Sequence, residues 1–197
     1  MAVGYVRPAR SGDAGEIARI QLATWRIAYR RLPAHVFDEF DEGWVAQRWR
    51  EAIEKAPTPR HHVLVAIEQS TQDYLVGFAA SGPADEAALA PGEDPLAEDV
   101  AAITDLLVEP RWGRRGHGSR LLAASVAHWR DDGFTSAVAW AFRDDPATNR
   151  FLTSAGWAPD GTTRALDVDD LLVPQLRLHT LVEEGTQADG EAGPVDD

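Results

Sequence analysis

The spacing of apolar residues switches between helical and strand periods along this chain, and the switches mark its elements. A short β-like stretch, YVRPA (5–9), comes first. Ile17, Ile20, Thr24, Ile27 and Ala28 then recur at helical spacing, with Leu22, Trp25 and Tyr29 alongside. Ser11 or Asp13 supplies the cap, and Glu16 stands three residues past Asp13, the spacing of a capping box. Pro33 interrupts, and a second helix is predicted over about 36–53, closed by Pro57 and Pro59. HHVLVAIE (61–68) and YLVGFAASG (74–82) are rich in β-branched and apolar residues, and STQD between them predicts a hairpin. AAITDLLVEP (101–110) reads as a buried strand stopped by Pro110. SRLLAASVAHWRDDG (119–133) is an amphipathic helix, with Leu122, Val126 and Trp129 on one side and Gly133 at its stop. SAVAWAF (136–142) is a further strand, Asp144, Asp145 and Pro146 open a short helix ending in AGW, and two strands fit about 164–168 and 175–182. No internal repeat is present. The order β-α-α-β-β-β-α-β-α-β-β predicts an α/β or α+β fold, a mixed sheet with helices on its faces.

A chain of 197 residues fits one domain, expected over 1–182. It has no cysteine, which excludes disulfides, thiolate metal sites and a cysteine nucleophile, and suits a cytoplasmic protein. No metal is expected. The N-terminal residues MAVGYVRPARSGD lack the apolar core of a signal peptide, and no apolar run is long enough to span a membrane. The net charge of −13 is concentrated in two places. Residues 84–100 and 183–197 each hold six acids and no base, which leaves the rest of the chain near neutral. The chain therefore reads as a balanced domain with an acidic loop, 83–99, and an acidic, disordered tail, 183–197. Without a basic face, nucleic acid is an unsuitable partner. An acidic rim would instead attract a cationic substrate.

PRWGRRGHGSRLL (110–122) follows the strand at 101–110 and opens a helix. A strand, a glycine-rich turn and a helix aim free backbone N–H groups at one point, which suits pyrophosphate. A Walker loop would need a lysine, and Gly118 is followed by Ser119 and Arg120. A dinucleotide fingerprint would need a third glycine where Leu121 stands. Val108, Pro110, Gly116, Gly118, Leu121 and Leu122 instead resemble motif A of the GNAT superfamily of N-acetyltransferases. Gly113 departs from the usual Gln or Arg, and Arg111, Arg114 or Arg115 could restore that charge. FLTSAGWAPDG (151–161) resembles motif B, VRPARSGDAGEIARIQLATWRIAY resembles the first strand and helix, and LRLHTLV the last strand.

The resemblance implies a splayed, mostly antiparallel central sheet with helices on both faces, and acetyl-CoA as co-substrate. The amides of Gly113, Arg114, Arg115, Gly116, His117, Gly118 and Ser119 would hold the CoA pyrophosphate. Leu106, Leu107 and Val108 would bond the pantetheine arm through their backbone, and Arg150 and Ser154 would lie near the adenosine phosphates. His117 is read as a loop residue near CoA, not a base. The reaction implied is attack of a neutral primary amine on the thioester carbonyl. The family's usual acid and bases are replaced: Leu152 stands for the motif B tyrosine, Asp145 for an asparagine, Ala102 and Thr104 for fourth-strand bases, and Trp140 for a glutamate. Thr104 could orient a water. Asp105 is the one carboxylate of that strand, a candidate base or a structural hydrogen-bonding group, expected by alternation on the face opposite Thr104. Trp25, Tyr29, Asp38 and Glu39 are the candidates on the acceptor side. The loop 83–99 would also lie there, so a protein lysine or a cationic small molecule is the expected acceptor. Two other readings fit the same residues: a non-catalytic acyl-CoA sensor, and an interaction module using its acidic segments. Family members are often homodimers, and the resemblance extends that assembly to this chain as an expectation.

Overall fold

A computed structural model describes residues 3–28, 36–37 and 40–182. The candidates Tyr29, Asp38 and Glu39 and the tail 183–197 lie outside the described residues. Seven strands form one sheet: β1 (Val3–Pro8), β2 (His62–Gln69), β3 (Asp73–Pro83), β4 (Val100–Val108), β5 (Ser136–Phe142), β6 (Ala158–Val168) and β7 (Leu171–Leu181). Their order is β1-β2-β3-β4-β5-β7-β6. Only β4 and β5 run parallel.

Strand alternation sorts the core into two layers. Leu64, Ala66, Ile103, Ala137, Ala139 and Ala141 face α3 (His117–Asp131), whose Leu121, Leu122 and Trp129 are buried among them. Leu152 from α4 (Pro146–Ser154) joins that layer. Val65, Ile67 and Phe78 face the other way, against Ile17 and Ile20 of α1 (Ala14–Ala28) and Trp49 of α2 (Glu42–Glu54).

Several boundaries differ from the sequence expectation for identifiable reasons. The helix placed at 36–53 has its described start at Glu42, because Asp41 caps it by accepting the Trp44 N–H at 2.7 Å. Asp13 does not form a box with Glu16. It accepts the Arg10 N–H and pairs with both guanidinium nitrogens of Arg7, while Glu16 pairs with Arg19. The last two strands are longer than expected and form one hairpin. Asp169 and Asp170 both have positive φ, 54° and 62°, the backbone of a tight two-residue turn. The acidic loop contains a short 3-10 turn, Glu86–Ala88, capped by Asp85, whose carboxylate accepts the Ala87 N–H at 2.9 Å.

Candidate active site

The site grows from a defect in β4. Ala80 pairs with Asp105, but the next β3 residue, Ser81, pairs with Ile103, so Thr104 is an extra residue on β4. Such a bulge bends the strand. β4 and β5 pair only from Val100–Ser136 to Ile103–Ala139, and beyond that the two strands part. β3 stays paired with β4 out to Gly77–Val108. Past Ile103, therefore, β4 keeps one hydrogen-bonded edge and turns the other toward a cavity of about 1100 Å³.

The bulge also overturns the alternation expected for Thr104 and Asp105. Ile103 packs into the α3 layer, whereas Leu107 packs into the α1 layer, so the sense of the strand reverses between them. Asp105 lies on the α1 side, where Gln21 Nε2 donates to its Oδ1 at 3.3 Å. The Thr104 hydroxyl, which donates to the Ala80 carbonyl at 3.3 Å, also faces the Asp105 carboxyl rather than the opposite side of the sheet. Burial pushes the Asp105 pKa up to about 6, with the Thr104 and Gln21 hydrogen bonds opposing it. Such a carboxylate is ionised at neutral pH and still basic enough to take a proton.

The glycine loop closes another side of the cavity. Gly116 caps α3 in the left-handed region, φ 82°, and no side chain caps the helix. The first backbone bond of α3 runs from the Arg120 N–H to the Gly116 carbonyl, at 3.0 Å. The N–H groups of His117, Gly118 and Ser119 therefore point out of the helix end, where the helix dipole favours an anion. Gly113, Arg114, Gly116, Gly118 and Ser119 line the cavity, as do Leu106, Leu107, Val108, Arg150 and Ser154. Arg115 does not. Its guanidinium turns back to lie 4.8 Å from the Trp112 ring centroid and 3.4 Å from Glu68. The His117 side chain also turns inward and is 1% exposed. Its Nε2 lies 3.0 Å from Oε2 of Glu68 on β2, off the hydrogen-bond line. His117 can thus contribute to an anion site only through its backbone. Glu109 fixes the loop's entry, with its carboxylate on Arg19 of α1 and on Arg111.

On the α1 side the cavity is walled by Trp25, Phe37, Phe40, Trp140 and Leu166. Sequence reading gave Trp140 no positive role. Its indole N–H donates to the Ala88 carbonyl at 3.0 Å, tying the acidic loop to β5. Glu93 of that loop is held by Arg177 of β7 at 2.6 Å, and Asp160 meets the same guanidinium at 2.6 Å. Residues that sequence reasoning missed are Gln21 and Arg164, whereas Asp85 belongs to the acidic loop expected on the acceptor side. Nothing in the local sequence around Gln21 or Arg164 marks them, because Gln21 reaches the Asp105 carboxylate, and Arg164 the cavity, only through contacts between elements far apart in the chain. Leu152, at the motif B tyrosine position, is 3% exposed and fills the core, offering no acid. Asp145 caps α4, accepting the Ala147 and Thr148 N–H groups. Among the described residues no cluster of three or more His, Asp or Glu side chains could hold a metal, and no helix is long and apolar enough to cross a membrane.

Comparison with known proteins accords with this geometry. An uncharacterized N-acetyltransferase, YuaI, from Bacillus subtilis (strain 168) is 24% identical over 143 residues, 72% of this chain and 73% of its own. The crystal structure of PaiA N-acetyltransferase from Thermoplasma acidophilum, in complex with coenzyme A, superposes with TM-score 0.64 at 12% identity, covering 91% of this chain and 99% of that one. YncA, a putative acetyltransferase from Salmonella typhimurium with its cofactor acetyl-CoA, gives TM-score 0.65 at 18% identity, covering 95% and 99%. Residues 17–157 match the Acetyltransferase (GNAT) family. This chain, with its forked sheet, uncapped glycine loop and motif spacing, belongs to the GNAT acetyltransferase family, whose members transfer an acetyl group from acetyl-CoA.

Proposed function

We propose that this protein binds acetyl-CoA in the fork and transfers the acetyl group to a primary amine presented from the α1 face, with Asp105 as general base. The observation that carries the reading is the convergence on one cavity of an uncapped helix N-terminus, a free strand edge and a carboxylate of raised pKa. The N–H groups of His117, Gly118 and Ser119 suit a pyrophosphate. The backbone of residues 104–108 on the open edge of β4 suits the amides of a pantetheine arm, which would extend the sheet's hydrogen bonding into the fork. Arg114 and Arg150, both lining the cavity, supply positive charge for phosphates.

In this reading the chain's chemical contribution is small and specific. Asp105 takes the proton of the attacking amine, directly or through a water oriented by Thr104. A backbone N–H on the free edge of β4 is the donor available to the carbonyl oxygen as it gains charge. With Leu152 buried, the departing thiolate takes its proton from solvent. Positioning in the fork supplies much of the remaining acceleration. The presence of Asp105 favours this reading over a catalytically silent acyl-CoA sensor.

A cationic acceptor was expected from the charge of residues 84–100. In the structure Glu93 is neutralised by Arg177, and Asp85 is turned onto a backbone N–H. The loop therefore offers less free negative charge than its composition suggests. Isothermal titration with acetyl-CoA, followed by a free-thiol assay with amines, tests the proposal. Submillimolar binding and acceptor-dependent CoA release are expected. Absence of binding by the folded protein overturns it, and binding without release above hydrolysis leaves the sensor.

A further inference from the structure

Across the fork from Asp105 the cavity holds a cation, Arg164, that no carboxylate pairs with among the described residues. Arg164 on β6 pairs in register with Gln175 on β7, and the neighbouring Leu176 enters the α3 core. Arg164 and Gln175 therefore share the face turned away from that core. Trp140 is on the same face, because Ala139 and Ala141 on either side of it are core residues. The Arg164 guanidinium lies 4.1 Å from the Trp140 ring centroid. Its Nε donates to Gln175 Oε1 at 2.7 Å, and its Nη1 donates to the carbonyls of Ala87 at 2.7 Å and Leu89 at 3.3 Å.

Each of these partners is neutral. Among the described residues no carboxylate pairs with Arg164, and its Nη2 has no acceptor. Arg177, two residues from Gln175 on β7, shows the contrast, with both Glu93 and Asp160 on its guanidinium. A guanidinium fixed by three neutral partners and an aromatic face, with one edge open to a cavity, is already organised for a carboxylate. Apart from Asp85, whose carboxylate is turned onto the Ala87 N–H, the wall on this side is apolar, with Trp25, Phe37, Phe40 and Leu166.

We propose that the acceptor is a small amino carboxylate with an apolar body. Its carboxylate docks on Arg164, and its amino group meets Asp105 and the thioester. This inference rests on the acetyl-transfer reading and names its substrate class. In the step itself, the amine nitrogen bonds to the acetyl carbon and the C–S bond of the thioester breaks. Asp105 takes the amine proton, CoA leaves as thiolate and is protonated by solvent, and the substrate's carboxylate is unchanged. A polyamine, or an amine without an acid group, would set neutral or positive matter against an unpaired cation and lose that contact.

Matched acceptors test this. Phenylalanine, leucine and an ω-amino acid are each compared with the amine that lacks the carboxylate, and spermidine serves as the polycation. CoA release gives kcat/KM with wild type, Arg164→Gln and Arg164→Lys, and titration gives the acetyl-CoA Kd for each. The expected result is a preference of about tenfold to a hundredfold for at least one amino carboxylate over its plain amine. That ratio should collapse toward one in Arg164→Gln, mainly through KM, and be partly kept in Arg164→Lys, with acetyl-CoA affinity retained in both. Preference for plain amines or spermidine, an unchanged ratio in Arg164→Gln, or turnover of no amino carboxylate overturns the inference while acetyl-CoA binding stands. Failure of acetyl-CoA binding in wild type sinks the underlying reading instead. If Arg164→Gln unfolds, the wild-type preference and the Arg164→Lys ratio decide.

Discussion

Gln21 Nε2 donates to Asp105 Oδ1 at 3.3 Å, joining α1 to the bulge in β4. The orientation of that amide is not arbitrary. Trp49 on α2 donates its indole N–H to Gln21 Oε1 at 2.8 Å, which leaves the amide NH2 to face the carboxylate. The hydrogen bond holds the Asp105 pKa below what burial alone would set. Replacing Gln21 by Glu puts a second carboxylate beside Asp105 and removes this donor. The acidic limb of kcat/KM at saturating acetyl-CoA should then move to higher pH by about one unit or more. Gln21→Leu should move it in the same direction by less. A limb that stays in place in both variants would show that Asp105 does not control it.

Asp105→Asn separates catalysis from stability, because the two effects run in opposite directions. Loss of the base should lower kcat by about a hundredfold or more, and wild-type activity should rise with pH through an inflection near 6, the Asp105 value. The same raised pKa means that ionising Asp105 costs folding energy. The folded protein holds this proton more tightly than the unfolded chain, so the stabilisation is complete below the unfolded value and is lost as pH rises through about 6. At pH 8 the variant should be more stable than wild type, by up to about 3 kcal/mol before discounting for the part-open cavity, and so melt at a higher temperature. The difference should shrink toward pH 4. Thermal melts across this range give the sign.

The glycine loop was the most legible part of the site in the sequence, because its function depends on local backbone chemistry. The strand, glycine turn and helix were read from residues adjacent in the chain, although the helix expected from Ser119 starts two residues earlier, at His117, with Gly116 as its left-handed cap. SAVAWAF read as a strand over its observed span, Ser136–Phe142, since it is short, apolar and bounded by polar residues. The face of Asp105 was not legible. It is set by where β3 slips one residue against β4, and that slip involves Ala80 and Ser81, over twenty positions away. Arg164 and Gln21 were hidden for the same reason. The β6–β7 hairpin was underestimated because Asp169–Asp170 is a less familiar pair for two positive φ values than Asn-Gly. Charge counting over 84–100 could not see Arg177 arriving from β7 to pair with Glu93.

Gly118 should be sensitive to size for a reason that leaves the fold largely intact. A Cβ there would stand 3.4 Å from Phe151 Cζ, a contact that small adjustments relieve. It would also cover the helix end from which N–H groups emerge. Gly118→Val is expected to weaken acetyl-CoA affinity by tenfold or more, with little change in the melting temperature of the unliganded protein. Gly118→Ala should be milder. Titration alongside melting distinguishes this from collapse of the loop. Equal affinity for wild type and Gly118→Val would show that no ligand approaches this helix end.

His117 and Glu68 bury an ionisable pair directly behind that loop, at 1% and 3% exposure. Gly4 of β1 closes the space on the other side, since a Cβ there would lie 3.0 Å from His117 Cε1. Burial lowers the His117 pKa, with the attraction of Glu68 opposing it and the charges of Arg120 and Arg115 adding to it. A base whose folded pKa is depressed contributes stability above its unfolded value, about 6.5, and loses it as pH falls through the folded value. Wild type should therefore lose stability between pH 7 and pH 5 more steeply than His117→Leu. Glu68→Leu removes the attraction that offsets burial and leaves His117 without its carboxylate, a change expected to cost about 1–3 kcal/mol at pH 7. In the double variant the two effects should be less than additive, because neither polar group is left stranded. Chemical denaturation of the four proteins at pH 7 and pH 5 measures both the coupling and its pH dependence. Strict additivity, with parallel pH slopes, would mean that the pair merely fills space behind the loop.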